Sequence, residues 1–172
     1  SVAVATDDKS SDEALAAVLS DPTTQIHRRP DGKPVALCDR AVSVSHAGRL
    51  TLTIASSRQL VACDAEPVVH RDVREWNELL GGDRHALAVL IAEQSPAENF
   101  DGAATRLWSA GECLKKAGLP LETPLVLRDV TPDRWILLKA GATTIATWIG
   151  PVRDSSAPLA VALLVGSGDE VL

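Results

Sequence analysis

From residue 42 onward the hydrophobic pattern of this chain changes its period twice, and that order limits the fold more than any other feature of the sequence. Apolar and polar residues alternate over 42–45 and 50–54, around a turn at Gly48, which predicts an antiparallel strand pair with one buried face. Helical patterns follow at 71–80, 85–93 and 103–117. Strand patterns return at 124–127, 135–139, 143–149 and 159–165. Strands, then helices, then strands again predict an α+β domain rather than a βαβ repeat.

The N-terminal part of the chain repeats this combination on a smaller scale. Ser10 is expected to cap a helix, with Glu13 completing a capping box. Strand patterns accompany this helix at 2–5, 35–38, 42–46, 50–55 and 60–64. We therefore expect one domain over residues 1–172, made of two similar halves, about 1–66 and 67–172. Each half is a small antiparallel sheet packed on a helix, and a ligand cleft between pseudo-twofold halves would follow.

Composition indicates the environment of the protein. The chain has 172 residues, of which 45% are hydrophobic, enough for one globular core. No apolar run approaches the ~20 residues needed to span a bilayer, and the N-terminus lacks the pattern of a secretion signal. We expect a soluble, cytoplasmic protein. Because the first residue is Ser1, we also expect a processed chain or a piece of a longer polypeptide.

Charge and cysteine content exclude other classes. A net charge of -6 argues against a general nucleic-acid binder, and an aromatic content of only 3%, with four Trp, one Phe and no Tyr, makes base-stacking platforms unexpected. Any phosphate ligand must therefore be held by a local cluster of cations. Cys38, Cys63 and Cys113 form no CxxC pair and have no histidine at zinc-site spacing, so they are expected to be buried thiols.

Two acids stand at the end of the apolar strand Val61–Glu66. Side chains alternate across a strand, so Asp64 and Glu66 share one face and repel each other unless a positive charge lies between them. A divalent cation is the simplest explanation. The alternative is that the strand ends here and both acids are solvated.

A third acid, Glu112, lies on the predicted helix 103–117. Lys116 is four residues further on, so the two side chains share one helix face, and an ordinary surface ion pair is the simpler interpretation. Glu112 also borders the apolar stripe of this helix. With Asp64 and Glu66 it can supply the oxygen ligands that Mg²⁺ prefers.

Basic and polar residues in the N-terminal part are candidates for phosphate binding. Arg28, Arg29 and Lys33 lie in a loop between two prolines, where they are either solvated or form a phosphate clamp. His46 closes a strand and is either a turn residue or a donor to a phosphate oxygen. A Ser45–His46 hydrolase pair is disfavoured, because neighbouring strand residues point to opposite faces.

Four short motifs stand out in the order of the chain. They are Gly32-Lys33-Pro34, Ser45-His46-Ala47-Gly48, Cys63-Asp64-Ala65-Glu66, and the segment from Trp108 to Lys116. Each is weak alone, and together they are specific. Taken in order, they resemble the motifs of the 4'-phosphopantetheinyl transferase superfamily.

The resemblance implies an enzyme that transfers the phosphopantetheine arm of coenzyme A to a serine of an acyl-carrier protein or domain. By this match Asp64, Glu66 and Glu112 hold Mg²⁺, Glu112 is also the base for the serine, and Lys116 steadies the phosphates. Lys33, Ser45 and His46 would face the nucleotide end of coenzyme A. Arg28 or Arg29 would meet the 3'-phosphate, although no motif fixes these two.

Two residues depart from the family pattern. Gly111 stands where a lysine is expected before Glu112, at a cost of ~1 kcal/mol to the helix, and Ala62 replaces a glycine. The amino-acid sequence from Arg106 to Gly118 is most similar to that of the C-terminal transferase domain of iterative, enediyne-type polyketide synthases. The resemblance then implies that the carrier domain of the same synthase is the acceptor, and that the isolated domain is a monomer.

Two other functions remain open from the sequence. A non-catalytic module that docks on a carrier domain is favoured by Gly111, whereas retention of three acids and Lys116 favours the enzyme. An Mg²⁺-dependent phosphohydrolase is a further alternative that only the shared acids suggest.

Overall fold

A computed structural model describes residues 2–6, 11–19, 25–57, 60–95, 98–153 and 155–166 of the chain. Within these residues the elements follow in the order β1 (Val2–Thr6), α1 (Ser11–Leu19), β2 (Ile26–Arg28), β3 (Pro34–Ala36), β4 (Ala41–Ala47), β5 (Leu50–Ser56), β6 (Val61–Pro67), α2 (Val73–Leu80), α3 (Gly82–Gln94), α4 (Phe100–Ala117), β7 (Leu125–Val130), β8 (Ile136–Ala140), β9 (Thr143–Gly150) and β10 (Leu159–Val165).

The strands form antiparallel sheets, and the α+β prediction is confirmed. A small sheet has the order β1-β5-β4, and a large sheet has the order β6-β10-β9-β8-β7. Strands β2 and β3 pair separately as a short ribbon. No helix in the described part of the chain is both long and apolar enough to cross a membrane.

The large sheet is covered by α4, which is the central helix. Asn99 caps it by accepting a hydrogen bond from the Gly102 N–H, and Gly118 ends it in a left-handed conformation with φ of 74°. One face of α4 packs on the sheet and the other on α2 and α3. The core formed in this way contains Leu107, Ala110 and Leu114 of α4 with Trp76, Ile91, Leu138, Ile145 and Leu164.

The small sheet is packed on both sides. Leu15 and Val18 of α1 form an apolar cluster with Ala55 on one face of β5. On the other face, Leu52 and Ile54 contact Cys63, Ala65 and Leu159 of the large sheet. The prediction that the β4–β5 pair has only one buried face is therefore wrong for β5, because α1 covers one of its faces and the large sheet covers the other.

Several details differ from the sequence predictions. Strand β2 lies in the polar, proline-bounded stretch where none was expected, and α3 begins three residues before the predicted start at His85. Cys38 is exposed, contrary to the expected burial, whereas Cys63 and Cys113 are buried. Burial raises the pKa of the Cys63 thiol to about 11, which keeps it protonated. The cap expected at Ser10 lies outside the described residues.

The division near residue 66 stays a prediction, but the pairing of β6 bears on it. This strand runs on to Pro67 and pairs with β10, from Val61 opposite Val165 to Pro67 opposite Leu159. The strand that carries Asp64 and Glu66 is thus an edge strand of the large sheet.

A buried ion pair joins the start of α4 to the large sheet. The Arg106 side chain is 2% exposed, and its Nε and Nη2 each donate to a carboxylate oxygen of Glu98 at 2.7 Å. Its Nη1 also donates to the Thr147 hydroxyl at 3.2 Å. This two-point pairing satisfies both charges away from water.

We expect Arg106→Met to lower the free energy of unfolding by about 3–5 kcal/mol, because it leaves the Glu98 carboxylate buried without a counter-ion. Urea unfolding at pH 7 measures the change. The control is Arg128→Met on the exposed side of β7, which should change stability by less than about 0.5 kcal/mol. A small loss for Arg106→Met would show that water reaches Glu98.

Candidate functional site

The two sheets meet where β4 lies beside the outer edge of β6. Instead of a backbone ladder, two serine hydroxyls of β4 complete this contact. The Ser43 hydroxyl accepts from the Cys63 N–H at 3.1 Å, and the Ser45 hydroxyl accepts from the Ala65 N–H at 3.2 Å. Because the spacing of two residues is the same on both strands, the alternating serines of β4 hold β6 in a defined register.

Asp64 is buried at this junction. It is 3% exposed, and its Oδ1 accepts hydrogen bonds from the Ser45 hydroxyl at 3.0 Å and from the Lys116 ammonium at 2.8 Å. Its Oδ2 is buried without a hydrogen-bond partner. The interpretation of Asp64 as a solvated acid is therefore wrong, and its second oxygen is one that a ligand could satisfy.

Lys116 crosses the junction from the last turn of α4. Besides Asp64, its ammonium donates to the Cys63 carbonyl at 3.0 Å and to the Val44 carbonyl at 3.5 Å. The simpler interpretation, a surface ion pair between Glu112 and Lys116, is wrong, because Lys116 pairs with Asp64 while Glu112 pairs with Lys115 at 3.4 Å. One lysine thus connects the helix to a strand of each sheet.

Lys33 supports the same end of the helix from the opposite side. Its ammonium donates to the Lys116 carbonyl at 2.6 Å. A cation at this position satisfies a carbonyl that the helix leaves without a partner and interacts favourably with the helix dipole. The loop of residues 28–34 is therefore fixed to α4.

The environment of Glu66 shows that the three acids influence one another. Burial raises the pKa of Glu66 above its usual value, and the charges of Asp64 and Glu112 raise it further. A hydrogen bond with Trp108 and the charge of Lys116 act in the opposite direction. Across the described residues, however, no three side chains of the His, Cys, Asp and Glu types are arranged to hold a metal ion.

A cavity of about 550 Å³ opens on the basic side of the junction. Most of the predicted binding residues come together here, from the loop, from β4 and from the end of α4. Ser45 instead lies beneath the cavity, bonded to Asp64. The predicted residues among its walls are Arg28, Arg29, Lys33, His46, Glu112 and Lys116.

Several of these cavity residues already have partners on the protein. Arg28 pairs with Asp12 at 2.6 Å, and Arg29 pairs with Asp31 at 3.2 Å. Nε2 of His46 is hydrogen-bonded to the Ser11 hydroxyl at 2.9 Å, and its Nδ1 is hydrogen-bonded to the Thr51 hydroxyl at 3.1 Å. The two arginine pairs are exposed, so exchanging their partners for a phosphate costs little.

Sequence reasoning missed a second cavity, of about 690 Å³, on the other side of Glu112. Arg84 of α3 lies in its wall, together with Trp108 and Gly111 of α4. Glu112 and Lys115 line both cavities. The sequence signal that could have indicated this cavity was Gly111, inside a long helical pattern. A glycine at such a position can mark the close approach of another group to the helix backbone.

Comparison with known proteins gives no assignment. A scan of protein-family models and a search of curated proteins both found no match to this chain.

We expect Lys116→Met to lower the free energy of unfolding by about 3 kcal/mol, because it leaves the buried Asp64 carboxylate unpaired. Lys115→Met is the matched control, since its side chain is 63% exposed, and it should cost less than about 0.5 kcal/mol. Thermal and urea unfolding of both variants measure the difference. Equal losses would contradict the structural role of Lys116.

We expect Glu66→Gln to stabilise the protein at neutral pH. Because its pKa is raised on folding, the folded state holds the Glu66 proton more tightly than the unfolded state, so wild-type stability falls as pH rises from the unfolded value through the folded one. Urea unfolding from pH 4 to 8 should show an advantage of Glu66→Gln that grows with pH. Glu93→Gln, at an exposed position of α3, is the control. A difference in stability between Glu66→Gln and the wild type that does not change with pH would refute the expectation.

Proposed function

We propose that this protein is a 4'-phosphopantetheinyl transferase that moves the phosphopantetheine arm of coenzyme A to a serine of an acyl-carrier protein or domain. The observation that carries the proposal is the junction of the two sheets. There, Lys33, His46, Glu112 and Lys116 surround one cavity, and Lys116 contacts Asp64 directly. Lys33 and Lys116, which are 83 positions apart in the chain, are joined at this junction by a hydrogen bond from the Lys33 ammonium to the Lys116 carbonyl.

The charges of the first cavity suit a coenzyme with several phosphates. Arg28, Arg29 and Lys33 stand on one wall, and Lys115 and Lys116 stand on another. Such a cluster can neutralise phosphates although the whole chain carries a net charge of -6. Arginine fits the terminal 3'-phosphate best, because its planar group binds phosphate through two donors.

The carboxylates fit Mg²⁺ by their chemistry. Asp64 has a buried oxygen without a partner, and Glu66 is destabilised as an anion by Asp64 and Glu112. A hard divalent cation held by Asp64, Glu66 and Glu112 would relieve both conditions and, when bound, would neutralise charge on the pyrophosphate. Since these side chains are not gathered around one point, binding requires them to turn toward each other.

Glu112 is the proposed base. It lines both cavities, and its side chain is 25% exposed, so a hydroxyl can reach it from the second cavity while coenzyme A fills the first. The serine oxygen bonds to the phosphorus that carries the pantetheine arm, and its proton passes to Glu112. The bond to the other phosphate breaks, and adenosine 3',5'-bisphosphate leaves, steadied by Lys116.

The finer assignments belong to the same proposal. The fold would be that of the transferase family, with pseudo-twofold halves of about 1–66 and 67–172, although β6 at the end of the first half pairs in the large sheet of the second. The acceptor would be a carrier domain, that of a polyketide synthase which contains this domain, acting in the cytoplasm. With both halves in one chain, the isolated domain would be a monomer.

The rival is a docking module that binds a carrier domain without modifying it. The internal bonds of Lys33 and Lys116 favour this rival, because both cations already serve the fold. The partnerless oxygen of Asp64 and the unfavourable environment of Glu66 favour the enzyme, since a module without ligands gains nothing from them.

Incubation of the protein with coenzyme A, Mg²⁺ and an unmodified carrier domain tests the proposal. We expect mass spectrometry to show the carrier gaining one phosphopantetheine, and a chelator to abolish the gain. Glu112→Gln should slow transfer at least about 100-fold through loss of the base, with Glu93→Gln as the control. If the carrier binds and its mass does not change, the docking module is the better description.

A further inference from the structure

The second cavity contains a cation that the proposed mechanism has not used. Arg84 stands in its wall beside Glu112 and Lys115, and these last two residues also line the first cavity. An anion that fills the first cavity and extends past Glu112 therefore comes to the side of Glu112 where Arg84 lies. The other charged residues of the second cavity are Asp83 and Glu122.

Gly111 determines where the guanidinium of Arg84 can lie. The residue is in the middle of α4, directly before Glu112, and the helix runs through it without a break. A Cβ atom built on Gly111 would lie only 2.6 Å from Nη1 of Arg84. The guanidinium therefore rests against the helix backbone in the space where any other side chain at position 111 would begin.

The position of Arg84 is fixed from a second direction as well. Its Nη2 donates to the carbonyl oxygen of Leu121, in the loop that follows α4. Burial lowers the pKa of Arg84, and the negative charge of Glu122 acts in the opposite direction. The net shift is downward, so Glu122 offsets only part of the cost of burying this cation. Within the described residues, Leu121 provides its one hydrogen-bond acceptor, so further N–H groups stay available to a ligand.

We propose that Arg84 and Gly111 form a phosphate-binding pair, in which glycine makes room for an arginine that contacts the pyrophosphate of the coenzyme on the second-cavity side of Glu112. This inference rests on the proposed transferase function and extends it by one binding residue. A planar guanidinium that is held by the Leu121 carbonyl and lies in the space above Gly111 is well suited to phosphate, since little further side-chain order is lost on binding. Gly111 then has a defined purpose in the site.

Binding measurements on paired variants test this inference. Calorimetric titration with coenzyme A, and separately with inorganic pyrophosphate, should show Arg84→Gln losing at least about tenfold in affinity, the size expected for a hydrogen bond to a charged group. Gly111→Ala should lose part of this factor, because the added methyl makes the guanidinium at the end of the flexible Arg84 side chain shift. The double variant Arg84→Gln/Gly111→Ala should bind no worse than Arg84→Gln alone, because both changes remove the same contact.

A charge exchange gives a stricter test. Gly111→Lys alone should weaken binding, because its side chain clashes with Arg84, whereas Arg84→Ala/Gly111→Lys should recover part of the loss through the new ammonium. Gly82→Ala is the control for added volume in the second cavity, because Gly82 also lines that cavity and its Cβ would meet no atom within 4 Å. Arg128→Gln is the control for charge. Thermal unfolding of every variant separates loss of binding from loss of the fold.

The outcomes distinguish this inference from the function on which it rests. If the wild type binds coenzyme A and Arg84→Gln binds it equally well, or if the losses of the two single variants add, the pair is refuted and the transferase proposal stands. If pyrophosphate binds through Arg84 but the carrier is never modified, the binding pair stands and the transferase function fails. If neither ligand binds the wild type, both are overturned.

Discussion

The ion pair between Lys116 and Asp64 is the interaction on which the rest of the site depends. One ammonium group bonds to Asp64 and Cys63 of β6 and to Val44 of β4, so it connects the end of α4 to both sheets. Each part of the candidate site is placed relative to this point: the basic loop through Lys33, the acids through β6, and Glu112 one turn back along the helix. Because Asp64 is buried, the pair cannot be broken without leaving a charge in the interior.

The same contact also shows how the site combines stability with unfavourable interactions. Lys116 neutralises one oxygen of Asp64, whereas the other oxygen has no partner and Glu66 is held close to two further acids. Stable folds rarely keep such groups in place without a ligand to satisfy them, which is why the junction is the best candidate for chemistry in the described part of the chain. The serine hydroxyls of β4 serve the opposite purpose, because they satisfy the edge of β6 and hold the acids in register.

Sequence periodicity was sufficient to predict the class of the fold and the approximate positions of most elements. The helix α4 was the clearest, since its apolar stripe and the Gly118 stop are local signals. The shared face of Asp64 and Glu66 followed from the alternation of a strand, and Lys33, His46 and Glu112, which the sequence singled out separately, line one cavity. What the sequence could not provide were contacts between distant segments. The partner of Lys116, the covering of both faces of β5 and the exposure of Cys38 all depend on tertiary packing that no local pattern encodes.

The contact between Arg84 and Gly111 also limits how this sequence can evolve. A side chain at position 111 has room only if residue 84 is shortened or turned away, and the guanidinium can rest on the helix only if position 111 stays bare. If the pair binds phosphate as proposed, a change at either position alters the place of the guanidinium, so the two positions are expected to covary among descendants of this chain. A long side chain can therefore enter at position 111 in two ways: the guanidinium of Arg84 moves aside, or residue 84 becomes shorter.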